Sequence, residues 1–217
     1  MAVELYDEHE QSERVRKWIK EYGFSLVLGL VLAFSGIFGF RFWQDHQAGQ
    51  RQLAAEYFDV IQSELDAQSL SFAEEQFNLM RDAVPRNAYV GLAGLQMAAA
   101  YVEDGQLAPA ARIYREILAE RRFDNLWPIA TLRLARVLEA QGDLDEARNL
   151  IAGTPPAGFE SEWAELRGDI HMAEGALDQA RIAYQEALES LTGQGVGRGM
   201  LEIKIDATGP GLSGESS

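Results

Sequence analysis

Three segments share the pattern Gly-x-Leu-x-x-Ala: Gly105-Gln-Leu107-Ala-Pro-Ala110, Gly142-Asp-Leu144-Asp-Glu-Ala147 and Gly175-Ala-Leu177-Asp-Gln-Ala180. The glycines are 37 and then 33 residues apart. Two of the segments continue alike, as Tyr114-x-Glu-x-Leu118 and Tyr184-x-Glu-x-Leu188. Self-similarity at such a period indicates a chain built from stacked repeats.

Each repeated glycine is predicted to end a helix, because a residue without Cβ adopts the left-handed conformation at least cost. A second helix follows, and its small residue lets the two helices pack closely, while a larger residue four positions later fills the adjoining space. The small residues are Ala98, Ala135 and Gly168 on the first helices and Ala110, Ala147 and Ala180 on the second, and the large ones are Tyr114, Ile151 and Tyr184.

This pattern resembles the tetratricopeptide repeat, a helix–turn–helix unit of about 34 residues. We expect a fourth copy before the others, since Ala73, Phe77, Met80 and Pro85 keep the second-helix spacing, although Gln68 stands at its turn. Such repeats bury their faces only against neighbours. The predicted fold is therefore all-α, with a tetratricopeptide-repeat-like solenoid of three to four helix pairs over residues 44–192.

An uncharged apolar segment lies near the N-terminus, where residues 23–40 read GFSLVLGLVLAFSGIFGF. A helix of this length covers about 27 Å, and flanking aromatic residues extend it to about 33 Å. That length matches a bilayer core about 30 Å thick, and Tyr22 and Trp43 stand where interfacial aromatic residues are expected. We predict one transmembrane helix over residues 23–43, in contact with membrane lipid.

Two other readings of this segment are weaker. A cleaved signal peptide has a shorter apolar region, of about 7–15 residues, and a buried core helix rarely lacks a polar face. Basic residues set the orientation, and they are Arg14, Arg16, Lys17 and Lys20 before the span against Arg41 and Arg51 after it. This excess places the tail of residues 1–22 in the cytoplasm and the repeats outside it, in the periplasm of a Gram-negative bacterium.

A stripe of small residues follows one side of the predicted span: Ser25, Gly29, Ala33 and Gly36. Small residues let another membrane helix approach closely, so this stripe is a candidate contact with a partner helix. Small residues are also simply common in membrane helices. Beyond the repeats, residues 193–217 are predicted to be a flexible tail in which Leu201, Ile203 and Ile205 alternate as a short strand or docking segment and the last ten residues are disordered.

The sequence predicts no enzyme and no cofactor. His9, His46 and His171 lie in three different regions without metal-ligand spacing, and the chain has no cysteine, so no metal site is predicted either. The glycines at 193, 195, 197 and 199 lack the Lys-Ser/Thr of a phosphate loop. A net charge of −15 argues against nucleic acid and suits basic or unfolded protein segments, although it also serves ordinary solubility.

What remains is an interaction surface. In tetratricopeptide repeats the inner face of each first helix lines a groove for protein segments. Carried over by position, this groove comprises Leu95, Val102, Leu132, Arg136, Glu139, Glu165, Asp169 and Met172.

The whole layout resembles the YfgM-like ancillary subunits of the bacterial Sec translocon. The likeness rests on Glu4-Leu-Tyr-Asp-Glu8, on WIKEYG at residues 18–23, on Arg41-Phe-Trp-Gln-Asp-His-Gln47 and on Met200-Leu-Glu-Ile-Lys-Ile-Asp206, in this order around the repeats. It implies a single-pass inner-membrane protein. The implied partners are Sec translocon subunits, a membrane-anchored periplasmic chaperone of prolyl-isomerase type, and unfolded or secreted chains. The alternative is a repeat scaffold for envelope assembly or division, unrelated to translocation.

The predicted orientation can be tested with a reporter. Because the basic residues favour a cytoplasmic N-terminus, alkaline phosphatase fused after Ser217 should be active, since it matures only outside the cytoplasm. A matched fusion after Lys20 should be inactive. The reverse activities would place the repeats in the cytoplasm.

Overall fold

The computed structural model describes residues 4–191 and 196–209, and within these ranges all regular structure is helical. The α-helices are α1 (Glu4–Asp66), α2 (Leu70–Ala83), α3 (Ala88–Glu103), α4 (Leu107–Ala119), α5 (Trp127–Gln141), α6 (Leu144–Leu150), α7 (Glu160–Ala173), α8 (Leu177–Ser190) and α9 (Val196–Ala207). A 3₁₀ helix, Arg121–Leu126, connects α4 to α5. The predicted all-α class is confirmed.

The chain divides into two compact units, Met1–Gln52 and Leu53–Ser217. The described part of the first unit is helical and contains the apolar segment. Within the described residues, α1 holds the one stretch that is long and apolar enough to cross a membrane. Large apolar side chains along it are exposed, Phe24 by 79% and Phe42 by 77%, as suits a segment whose solvent is lipid.

In the second unit, the repeated glycines end helices in the left-handed conformation. Gly105, Gly142 and Gly175 have φ of 76°, 85° and 76°, and α4, α6 and α8 begin two residues after them. The preceding helices α3, α5 and α7 are therefore the first helices of three pairs. The pair α1–α2 stands before them, and Gln68 has φ of 59° at its turn, where a glycine would be easier to accommodate.

The predicted small-to-large contacts form the core. Ala110, Ala147 and Ala180 are fully buried, and the large residues four positions later are at most 2% exposed. The closest approach is between α7 and α8, because a Cβ at Gly168 would lie against the ring of Tyr184. Gly168 thus lets the two helix axes come together at the aromatic residue.

The predicted strand near the C-terminus is wrong, because its residues belong to helix α9. Leu201 is buried at 3% exposure while Ile203 is 64% exposed, so the alternating residues do not share one face. Leu201 and Ile205, four residues apart, instead pack on one apolar cluster with Tyr184. Thr208 and Gly209 are held by Arg181, so the predicted disorder does not begin at residue 208. Residues 210–217 lie outside the described ranges.

Two helical glycines give opposite predictions for stability. Gly168→Ala should lower the free energy of unfolding by about 1–3 kcal/mol, because its methyl group would overlap the Tyr184 ring. Gly199→Ala, on α9, has nothing within 4 Å of the added Cβ and should raise it by up to about 1 kcal/mol. Thermal melting of both variants in mild detergent checks the pair. Equal shifts would mean that the α7–α8 contact is looser than described.

Candidate partner-binding surface

A pocket of about 260 Å³ lies between the first helices α3 and α5. Its walls are mostly apolar, and Arg133, Arg136 and Glu103 stand among them. The lining residues are Ala99, Val102, Glu103, Leu107, Tyr114, Arg133, Arg136, Val137 and Ala140. Apolar walls with a few charged groups suit an apolar side chain of a protein segment.

Tyr114 from α4 lines this pocket, with only 1% of its surface exposed. Burial raises the pKa of its hydroxyl, and the nearby Arg133 guanidinium lowers it in part. Arg133 also donates a long hydrogen bond of 3.4 Å to the carbonyl of Leu95. These contacts hold a cation beside the apolar pocket, where it can meet a carboxylate or carbonyl of a bound segment.

The neighbouring first helix, α7, carries a charged cluster that α9 completes. The ammonium of Lys204 donates to Glu165 Oε1 at 2.6 Å and to Asp169 Oδ1 and Oδ2 at 2.6 and 2.9 Å. All three side chains are less than one third exposed. The cluster therefore joins α7 to α9 through charge-assisted hydrogen bonds, the stronger class of such bonds.

Tyr184 and Glu139 extend this cluster. The Tyr184 hydroxyl donates to Asp169 at 2.9 Å, and the Lys204 ammonium lies 5.5 Å from the centre of its ring. Burial and the bond to Asp169 raise the pKa of Tyr184. Burial also raises the pKa of Glu139, and the charge of Asp169 adds to the rise while Lys204 and Arg136 oppose it. The carboxylates are close enough to affect one another electrostatically.

The predicted groove residues fall into four environments. Val102 and Arg136 share the α3–α5 pocket, whereas Glu139, Glu165 and Asp169 belong to the cluster around Lys204. Leu95 and Leu132 are 7% and 6% exposed and lie in the core, so they offer a partner almost no surface. Met172 packs against the apolar cluster that contains Leu201.

Lys204 was not among the predicted site residues, although a signal for its helix is present. Gly209 follows Gly175 by 34 residues and has φ of 80°, like the glycines that end the earlier first helices. The helix α9 therefore corresponds to the first helix of a further repeat. Because Gly209 keeps the repeat spacing of Gly105, Gly142 and Gly175, a helix is expected before it. The alternation of Leu201, Ile203 and Ile205 resembles a strand and hides this signal.

The other candidate sites show no assembled chemistry. Among the residues that the structure describes, no group of His, Asp and Glu side chains is arranged to hold a metal ion. His171 is partly buried with Nδ1 3.2 Å from Glu174, and burial together with Arg148 and Arg167 lowers its pKa. Of the small-residue stripe Ser25, Gly29, Ala33 and Gly36, the two glycines have nothing within 4 Å of an added Cβ. That face is open to a neighbour.

Residues 16–210 match the family described as "Tetratricopeptide repeat-like domain". The chain belongs to this family. It is also similar along almost its whole length to curated relatives that share the name "Ancillary SecYEG translocon subunit".

Three of these relatives come from different bacteria. The protein from Escherichia coli (strain K12) is 28% identical over 207 residues, which cover 94% of this chain and 98% of the relative. That from Haemophilus influenzae is 30% identical over 208 residues, covering 95% and 99%. That from Aggregatibacter actinomycetemcomitans is 31% identical over 194 residues, covering 88% and 92%. The tetratricopeptide repeat-like fold and these names point to a scaffold rather than an enzyme.

The first helices of the repeats carry both candidate binding features. In this tetratricopeptide repeat-like chain, the first helices α3, α5 and α7 present the pocket and the charged cluster, and α9 adds Lys204 beside them. The apolar pocket is open, while the carboxylates of α7 already have a cation as partner.

Removing Lys204 should weaken the attachment of α9. Burial alone would lower the pKa of Lys204, but the bonds to Asp169 and Glu165 raise it above 10.5. This ammonium therefore stabilises the fold across the neutral range, and its contribution is lost as the pH rises from 10.5 through the raised pKa. Lys204→Met should cost about 1.5–3 kcal/mol of unfolding free energy at neutral pH. Arg115→Met, which breaks an exposed pair with Glu146, should cost less than about 1 kcal/mol.

The pH dependence of the same variant has a definite sign. Burial and the charge of Asp169 raise the pKa of Glu139 while Lys204 lowers it, so without the ammonium that pKa should rise further. A raised carboxyl pKa means that the folded state binds protons more readily, so part of the loss should be recovered between about pH 7 and about pH 5. Chemical denaturation at both pH values measures it. A constant deficit would show that the carboxylates do not depend on Lys204.

Proposed function

We propose that this protein is a membrane-anchored, non-enzymatic ancillary subunit of the Sec translocon. Its repeats would receive segments of secreted or envelope proteins on the periplasmic side and pass them to chaperones. The observation that carries the proposal is the near full-length similarity to three proteins named as ancillary SecYEG translocon subunits. The apolar helix agrees with it, because a translocon subunit has to reside in the membrane.

In this proposal the apolar segment holds the protein at the membrane, and the repeats bind protein segments. We propose that the apolar segment spans the bacterial inner membrane once, with the basic tail in the cytoplasm, and that its small-residue stripe contacts another membrane helix. The partners in this arrangement are Sec translocon subunits and a membrane-anchored periplasmic chaperone of prolyl-isomerase type. Co-purification in mild detergent tests the association, and recovery of cell-wall or division proteins in place of translocon subunits would contradict it.

The chemistry of the pocket defines the kind of segment that the repeats bind. An emerging polypeptide is unfolded and offers apolar side chains flanked by backbone carbonyls. The α3–α5 pocket provides an apolar cavity with Arg133 and Arg136 at hand as donors. The net negative charge of the chain suits segments that also carry basic residues.

Charge reversal at the pocket should weaken this binding. Arg136→Glu replaces a donor by an acid beside Glu139, and Val102→Asp places a charge in the apolar wall. Both positions are exposed, so folding should be retained while crosslinking of the pocket to a translocating chain falls about tenfold. Arg115→Glu, an exposed reversal on α4, is the matched control. Wild-type crosslinking of both pocket variants would exclude this pocket as the binding surface.

A further inference from the structure

The first helix pair of the second unit leaves two rows of apolar side chains exposed. On α1, Leu53 and Val60 are 36% and 43% exposed, and on α2, Phe72 and Leu79 are 60% and 45% exposed. The members of each row are seven residues apart, which is about two helical turns. Each row therefore lies on one side of its helix, with its two apolar side chains about 10 Å apart along the axis.

The two rows have the same position relative to the core. Each exposed residue comes directly before a buried one in the sequence, and the buried residues are Ala54, Ile61, Ala73 and Met80, all with no exposed surface. One residue is a rotation of about 100° around a helix. Both exposed rows thus lie about 100° from the buried rows, in the same sense on α1 and on α2.

This common position places the rows on one edge of the helix pair. The turn Ala67–Ser69 between the helices is three residues long, so α1 and α2 form an antiparallel hairpin whose buried residues join one core. When two antiparallel helices pack face to face, equal rotations from the buried row point to the same side. The four exposed residues Leu53, Val60, Phe72 and Leu79 form a surface that we name the N-terminal edge.

The charge around the N-terminal edge has one dominant sign. Residues 53–83 contain seven acidic residues and one basic residue, Arg81. Arg81 is paired with Glu116 at 3.1 Å and lies over the ring of Phe77. An open cavity of about 360 Å³ on α2 is lined by Ser71, Glu74, Glu75, Asn78, Leu79 and Asp82. The exposed Leu79 shares this cavity with three carboxylates, those of Glu74, Glu75 and Asp82.

We propose that the N-terminal edge is a docking site for a basic amphipathic helix of another membrane protein. Its leucine-sized side chains would pack on the four exposed residues, and its lysines or arginines would meet the bordering carboxylates. A second copy of this chain would bring the same acidic edge and be repelled. An anionic lipid surface would be repelled for the same reason.

The distance along the chain restricts where this partner lies. Leu53 follows Trp43, at the end of the predicted span, by ten residues. Ten residues reach at most about 35 Å, and about 15 Å if helical. Leu53 therefore lies within about 35 Å of the end of the predicted span. A helix immediately outside another protein's span meets this condition, whereas a freely diffusing chain gains nothing from it.

The test uses the full chain in mild non-ionic detergent and two synthetic helical peptides. One peptide alternates leucine and lysine at amphipathic spacing, and the other has glutamate in place of every lysine. The leucine–lysine peptide should bind the wild type at least about tenfold more tightly than its acidic counterpart. Leu79→Asp should weaken that binding at least about tenfold. Ile182→Asp, at a position on α8 that is 65% exposed, should leave it unchanged.

A pair of charge reversals separates the edge from the general acidity of the chain. Glu75→Lys borders Leu79, whereas Glu189→Lys lies on α8, and both side chains are exposed. Both reversals change the net charge of the chain by the same amount, but only Glu75→Lys should weaken binding of the leucine–lysine peptide. Equal effects of the two reversals would overturn the proposal. Arg136→Glu in the α3–α5 pocket should leave binding of the leucine–lysine peptide unchanged. The experiment therefore distinguishes a wrong proposal for the N-terminal edge from a wrong proposal for the pocket.

A disulfide experiment decides between this partner and a second copy. The chain has no cysteine, so Leu79→Cys introduces one defined thiol. Under mild oxidation the full-length variant should remain monomeric on a non-reducing gel, as Ile182→Cys should. A dimer formed by Leu79→Cys alone would show that two copies meet at this edge and would overturn the proposal.

Discussion

The solenoid depends on how closely the two helices of each pair can approach. A small residue on one helix meets a large residue on its partner, and the α7–α8 pair shows the limit, since Gly168 leaves no room for a methyl group beside Tyr184. That contact brings the hydroxyl of Tyr184 within 2.9 Å of Asp169. A packing constraint in the core thus positions a carboxylate on the surface, and the position of Lys204 follows from it.

The repeat register made most of this architecture predictable from the sequence. Each glycine in the pattern ends a helix, and each predicted alanine is buried, because backbone conformation and close packing allow few other residues at those positions. The same reasoning did not find α9. Glycines 197 and 199 weaken the helical pattern, and Leu201, Ile203 and Ile205 alternate by chance. Contacts with α8 and Arg181 decide its conformation, and these are not local.

The candidate binding surface could be predicted only in part, for a related physical reason. Position in the repeat identifies which residues point towards the inner face, but it does not give their depth. Leu95 and Leu132 occupy equivalent positions to Glu165, yet the two leucines are buried whereas the glutamate is paired with Lys204. An apolar side chain sinks into the core where a charged one remains at the surface. The α3–α5 pocket is lined by residues of three helices, α3, α4 and α5, so it could be recognised only from the folded structure.

The charge of the molecule distinguishes its surfaces from one another. At α7 the carboxylates of Glu165 and Asp169 accept hydrogen bonds from Lys204, so that region holds α9 in place and part of its acidic charge is already offset. On the first helix pair, residues 53–83 contain seven acidic residues and one basic residue, Arg81, which is paired with Glu116. An excess of acidic charge next to exposed apolar side chains attracts a basic amphipathic partner. We therefore expect a basic amphipathic partner at the end of the solenoid that follows the apolar segment in the sequence.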